Sequence, residues 1–142
     1  MEEPEHILFL CTHNSARSQM AEGLLRHLGK GRFRTFSAGT EATRVRPEAI
    51  EVMAELGVDI SSAKSKTLER FLQDPFDLII TVCDGANEVC PVFPRAKKRL
   101  HWSIDDPAGV IGKPEEVMTA FRKARDELKA RIESEILPTT GE

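Results

Sequence analysis

The apolar run Ile7-Leu8-Phe9-Leu10 passes directly into Cys11-Thr12-His13-Asn14-Ser15-Ala16-Arg17-Ser18 and then into the helical spacing Met20, Ala21, Leu24, Leu25 and Leu28. Strand, polar loop and helix in immediate succession leave few architectures open, because the strand must lie in a sheet and the helix must fold back over it. The loop has a chemical character of its own. Feeding a helix N-terminus, residues Thr12 to Ser18 aim unpaired backbone N–H groups and the positive end of the helix dipole at a single point, which is how an anion is held. Cys11 stands beside that point, where the dipole and the Arg17 guanidinium favour thiolate over thiol and so make a nucleophile at neutral pH. Arg17 can also grip two oxygens of a tetrahedral oxyanion with its planar fork. Ser18 can donate its hydroxyl to the same sulfur, and Asn14 tolerates the left-handed backbone that a tight anion loop demands. Free cysteine is also among the most buried residue types, so it is the placement of Cys11 before a helix that carries the functional reading.

The rest of the chain continues the alternation. Gly29 and Gly31 stop the first helix, and Arg32 to Ser37 alternates with period two as a half-buried strand before Ser37-Ala38-Gly39-Thr40 breaks the pattern. Pro47 opens a second helix, with Ile50, Met53 and Leu56 on one face and Gly57 at its end. Ser61 to Ser65 reads as polar loop, Leu68 to Leu72 as a short helical piece, and Phe76 to Val82 as a buried strand ending at Cys83. Ala96 to Trp102, with its basic residues, suits a solvated edge strand. From Pro114 the residues Val117, Phe121, Ala124, Leu128, Ile132 and Ile136 form one apolar stripe, and Glu127 precedes Arg131 at i,i+4 spacing.

A chain of 142 residues is expected to form one domain, 1–142, with a frayed tail over about 138–142. The net charge of −3, from 20 basic and 23 acidic side chains interspersed, argues against nucleic acid or an anionic membrane as the partner. The acidic start and the absence of a long apolar run point to a cytoplasmic protein, and we expect a monomer. Three cysteines, an odd number, suggest catalysis or redox chemistry more than a disulfide framework.

Parallel sheets carry their sites outside the carboxyl ends of their strands. By that rule the loops bearing Cys11, Cys83 and Asp105-Asp106-Pro107 converge. Asp106 precedes a proline that rigidifies its loop, and a carboxyl there could protonate a leaving oxygen; an ordinary Asp-Pro turn is the alternative. Cys83 and Cys90 flank six residues, and if these were helical the two cysteines would stand about 10 Å apart along the axis, too far for a disulfide without rearrangement. Two buried thiols, or zinc ligands with His101, are the alternatives, and the close-paired spacing of a structural zinc site is missing.

CTHNSARSQMAEG, SAGT, TVCDGANEVC and HWSIDDPAG, in this order, resemble the thioredoxin-coupled arsenate reductases, which share the low-molecular-weight tyrosine phosphatase fold. The resemblance implies an α/β three-layer sandwich, with a four-stranded parallel sheet in the order 2-1-3-4 and helices on both faces. It implies Cys11 as nucleophile, Arg17 as oxyanion clamp, Asp106 as acid, and arsenate, phosphate or sulfate as ligands of residues 12–18. It further implies a relay in which Cys83 attacks arsenylated Cys11 and releases arsenite, and Cys90 then attacks Cys83, leaving a Cys83–Cys90 disulfide for thioredoxin; no tightly bound cofactor is expected. A phosphomonoesterase working through phosphocysteine is the competing reading, since it needs neither Cys83 nor Cys90. Some relatives hold a potassium ion with Asn, Glu, Ser and Asp. Here Asn14, Glu22 and Ser37 match, and Lys66 stands near the Asp position, where its ammonium would replace the ion.

Overall fold

The computed structural model describes residues 4–82 and 92–139. Its centre is a four-stranded parallel sheet of β1 (Glu5–Cys11), β2 (Phe33–Gly39), β3 (Leu78–Thr81) and β4 (Arg99–His101), in the order β2-β1-β3-β4. The register pairs Cys11 with Gly39, Leu10 with Thr81, and Thr81 with His101, so the carboxyl ends of all four strands finish on one line. Successive side chains of β1 alternate between two cores. Ile7, Phe9 and Cys11 pack with α1 (Arg17–Gly29), α2 (Pro47–Ala54) and α3 (Pro114–Arg131). Leu8 and Leu10 join Ala38, Ile79, Phe71, Phe76 and Phe93 on the opposite face, where the described cover includes the 3-10 helix Leu68–Phe71.

Three local expectations shift. The second strand does not break at Ser37 but runs to Gly39, with Ser37, Ala38 and Gly39 all buried, because its last residues pair with the end of β1. The edge strand is shorter than Ala96 to Trp102, being regular only over Arg99–His101 with an isolated bridge between Phe76 and Ala96. Along α3 and the π-helical turn Ile132–Ile136 that continues it the apolar stripe packs as spaced, with Phe121, Ala124, Leu128, Ile132 and Ile136 buried. The expected partner of Arg131 changes, however. It pairs with Glu135 at 3.0 Å rather than with Glu127, since Glu135 also receives the Trp102 indole N–H at 3.1 Å. Leu137, Pro138 and Thr139 form a 3-10 turn, and the rest of the expected tail, 140–142, lies outside the described residues. No helix among the described residues is long and apolar enough to cross a membrane.

The α2–α3 contact carries an unusual charge. Glu55 sits at the C-terminus of α2, where the helix dipole disfavours a carboxylate. Arg122 compensates with a forked contact, Nε to both oxygens at 3.0 and 3.1 Å and Nη2 at 2.8 Å, while Arg125 reaches Glu55 and the Val52 carbonyl, each at 2.8 Å. Hydrogen bonds from Arg122 and then Arg125 hold the Glu55 carboxyl well below its ordinary 4.5, at about 2. A depressed carboxyl pKa contributes stability above the unfolded value and loses it as pH falls through the folded one. Glu55→Gln is therefore expected to lower the thermal midpoint at neutral pH, with the gap to wild type closing between pH 4.5 and about 2 in melts recorded across that range.

Candidate active site

The helix N-terminus of α1 is left open by its own sequence. Its cap position is Ala16, no side chain bonds to its first N–H groups, and its first turn holds no acidic residue. By contrast, α2 has Glu48 and α3 has Glu115 and Glu116 in their first turns. The positive end of α1 thus faces the loop with no carboxylate in the helix's own first turn to neutralise it.

The backbone of that loop is turned inside out relative to an ordinary turn. The Cys11 carbonyl accepts from Thr40 N–H (3.2 Å), and that of Thr12 from Glu41 N–H (2.9 Å) and the Thr40 hydroxyl (3.1 Å). The His13 carbonyl accepts from the hydroxyls of Ser65 (2.9 Å) and Thr43 (3.3 Å), and that of Ser15 from Arg46 N–H (2.8 Å). With its carbonyls tied to the segment 40–46 and to Ser65, the loop presents its N–H groups inward. Among the described residues, those of His13, Ser15 and Ala16 meet no protein acceptor. The reversal needs one left-handed residue, and Asn14 supplies it at φ +49°, as its residue type allows.

Cys11 is buried at the base of the loop, its Sγ 2.8 Å from the Ser18 hydroxyl and receiving Asn14 N–H at 3.2 Å. Arg17 lies across the mouth. Its Nη1 donates to the Ile104 carbonyl at 2.9 Å, and Nη2 stands 3.6 Å from Asp106 Oδ2. Asp106 in turn accepts from Ala108 N–H at 3.0 Å through Oδ1, capping the 3-10 helix Pro107–Gly109. One structure therefore brings together a sulfur with two polar neighbours, a ring of N–H groups without protein acceptors among the described residues, a guanidinium held at one edge and a carboxyl 3.6 Å from it. Such a set can bind a tetrahedral oxyanion, attack its central atom and protonate a departing oxygen. Cys83 and Cys90 fall outside the described residues.

The cation set is brought together but does not fit potassium. Asn14 Oδ1 already accepts from Gln19 Nε2 at 2.9 Å and Lys66 N–H at 2.8 Å, and the Glu22 carboxylate accepts from Ser37 and from Arg26. The Lys66 ammonium lies partly buried in the same region, bonded to the Lys64 carbonyl at 2.7 Å. Burial pushes its pKa down, and the Glu22 charge opposes that shift. Among the described residues no cluster of His, Cys, Asp or Glu is placed to hold a metal.

Several contributors are not visible in sequence spacing: Gln19, Gly39, Thr40, Thr43, Arg46, Ser65 and the Ile104 carbonyl. The nearest signal for them was the SAGT stretch, whose Gly39 and Thr40 end β2 against Cys11.

Residues 6–136 match the family described as low molecular weight phosphotyrosine protein phosphatase. An arsenate reductase of Halalkalibacterium halodurans is 45% identical over 90% of this chain and 92% of its own length. The structure of an arsenate reductase in its phosphate-binding state superposes with a TM-score of 0.80 at 35% identity, covering 92% of this chain and 95% of that one. A thioredoxin-dependent arsenate reductase of Corynebacterium glutamicum superposes with a TM-score of 0.65 at 31% identity, covering 94% of this chain and 64% of that one.

Proposed function

The chain belongs to the low molecular weight phosphotyrosine protein phosphatase family, and from that premise we propose that it is an arsenate reductase working through the Cys11 loop. The observation that carries the reading is the pairing of Cys11, held by two polar neighbours at an uncapped helix terminus, with Arg17 and Asp106 across the mouth. Arsenate enters with its oxygens on the inward N–H groups and the Arg17 fork. The Cys11 thiolate bonds to arsenic, and a protonated Asp106 passes its proton to the oxygen that leaves as water.

The second half uses Cys83 and Cys90, and what supports it is the resemblance of TVCDGANEVC to the thioredoxin-coupled arsenate reductases. The Cys83 thiolate attacks the Cys11 sulfur; the S–As bond breaks with its electron pair passing to arsenic, and arsenite departs. Cys90 then attacks Cys83, freeing Cys11 as thiolate, and the resulting Cys83–Cys90 disulfide is reduced by a dithiol protein of the thioredoxin class. The similarity to a thioredoxin-dependent arsenate reductase supports that choice of reductant. Phosphate and sulfate present the same tetrahedral face to the loop, so they are expected to compete with arsenate without being reduced.

The experiment is arsenate-dependent oxidation of reduced thioredoxin, run beside hydrolysis of an aryl phosphate. Cys83→Ser and Cys90→Ser are expected to abolish repeated turnover with arsenate while leaving ester hydrolysis largely intact, and Cys11→Ser to abolish both. Cys90→Ser should stall after one turnover with a Cys11–Cys83 disulfide visible by mass spectrometry. Repeated arsenate turnover by either resolving-cysteine variant would refute the relay and leave a phosphatase as the better account.

A further inference from the structure

Gln19 is buried, two residues past the arginine, and touches neither the sulfur nor the mouth of the loop. Its Nε2 faces three acceptors: the Asn14 carbonyl at 3.2 Å, Asn14 Oδ1 at 2.9 Å and the Lys64 carbonyl at 2.9 Å. Two of these are backbone carbonyls, which cannot donate, so the end of the side chain that faces them must be the NH2 group. Its oxygen is thereby turned the other way and, though buried, meets no hydrogen-bond partner among the described residues. A methionine or leucine would fill the same space without that cost, so packing alone does not explain a glutamine here.

The consequence runs toward Cys11. Asn14 Oδ1, accepting from Gln19 and from the Lys66 N–H, leaves Asn14 Nδ2 to donate to the Ser18 hydroxyl oxygen at 2.8 Å. The Ser18 hydroxyl has one proton; with its oxygen receiving Asn14 and the sulfur a thiolate that can only accept, that proton points at Cys11 Sγ 2.8 Å away. We propose that Gln19 is a positioning residue that sets the direction of this chain, from the 64–66 loop through Asn14 and Ser18, so that it ends as a donor on Cys11. The chain favours the sulfur as thiolate because each link is locked before the ligand arrives. This rests on Cys11 being the nucleophile of the proposed reading, and its test is therefore read on the sulfur rather than on arsenate.

Gln19→Met removes the donor at nearly constant volume, leaving the Lys66 N–H alone to orient Asn14. Gln19→Glu goes further. A carboxylate faces Asn14 Oδ1 acceptor to acceptor, and Asn14 relieves the conflict by rotating its amide at the cost of the Lys66 N–H bond, which turns Oδ1 onto Ser18 and draws the Ser18 proton off the sulfur. The pH dependence of iodoacetamide labelling at Cys11, read peptide by peptide by mass spectrometry, is expected to move up by about one pH unit in Gln19→Met and further in Gln19→Glu. In a Ser18→Ala background the same Gln19 changes should add almost nothing, since the path to sulfur is already cut. A Cys11 profile that stays at the wild-type position while the melting temperature drops would reduce Gln19 to packing and overturn the proposal. A measurement on the wild type avoids dependence on variants that fail to fold: the Gln19 side-chain amide resonances should be protected from solvent exchange and should shift with the Cys11 titration. Amide signals that exchange freely and ignore that titration would equally refute it.

Discussion

Arg17→Lys is expected to lower kcat/KM for arsenate by about 10²–10³-fold, the scale of losing an aligned donor to a transition-state oxyanion. The lysine keeps the charge but not the fork. In the folded protein Arg17 Nη1 is committed to the Ile104 carbonyl at 2.9 Å, and this holds the guanidinium plane across the mouth. Nη2 faces Asp106 Oδ2 at 3.6 Å. A lysine ammonium can satisfy Ile104 or reach the oxyanion, and it has no planar second donor with which to do both. The loss should appear in kcat for arsenate and for aryl phosphate alike, because both reactions begin at the same loop. Near-normal turnover of either substrate by the variant would remove Arg17 from the role of clamp.

Gly39→Ala, which adds one methyl group at the residue paired with Cys11, is expected to cost about 10²-fold in activity as well, because displacing reacting groups by about 1 Å is enough to do so. A Cβ built at Gly39 would lie 2.7 Å from the Thr12 carbonyl, 2.7 Å from that of Glu41 and 2.8 Å from Asn14 N. All three are backbone atoms. None can swing aside as a side chain could, so the methyl group must push the anion loop away from β2 or separate β2 from β1, at about 1–3 kcal/mol of overpacking. Gly109→Ala serves as the comparison. That glycine ends the 3-10 helix after Asp106, also beside the site, yet an added Cβ there meets nothing within 4 Å, and activity should be unchanged. Oxyanion affinity measured by phosphate titration should fall in the first variant and hold in the second. Equal affinity in both would mean that the loop absorbs the methyl group without moving.

Local chemistry made the strand-loop-helix around Cys11 legible because each part carries its own signal: an apolar run, a residue type that accepts a left-handed backbone, and a 3.6-residue apolar stripe. The α3 stripe was readable for the same reason. What stayed hidden depends on neighbours distant in sequence. Ser37-Ala38-Gly39 looks like a break in alternation because small residues carry no pattern, yet their smallness is what lets β2 approach the loop at Cys11. Arg131 has a carboxylate four residues away on either side, and the choice of Glu135 is made by Trp102 on another element. Gln19 reads as an ordinary polar helix residue; its work becomes visible only when Lys64 comes to lie against Gln19 itself and Lys66 against Asn14.

The outward-turned carbonyls of residues 11–15 bear on how damage to this protein would be noticed. The loop is held in shape by Thr40, Glu41, Thr43, Arg46 and Ser65, whether or not an anion occupies it. An anion that settles on the inward N–H groups braces the same arc from its concave side, adding RT ln(1 + [L]/Kd) to the folded state, about 2.7 kcal/mol at a hundredfold excess over Kd. The intact protein gains the same increment, so a lesion in any of those outer tethers lowers the melting temperature in either buffer, and one that also weakens the grip on the anion widens the gap where phosphate is plentiful. A variant melted in phosphate and an intact protein melted without oxyanions would nevertheless look alike, and the choice of buffer would then decide whether a defect in architecture is mistaken for a defect in chemistry.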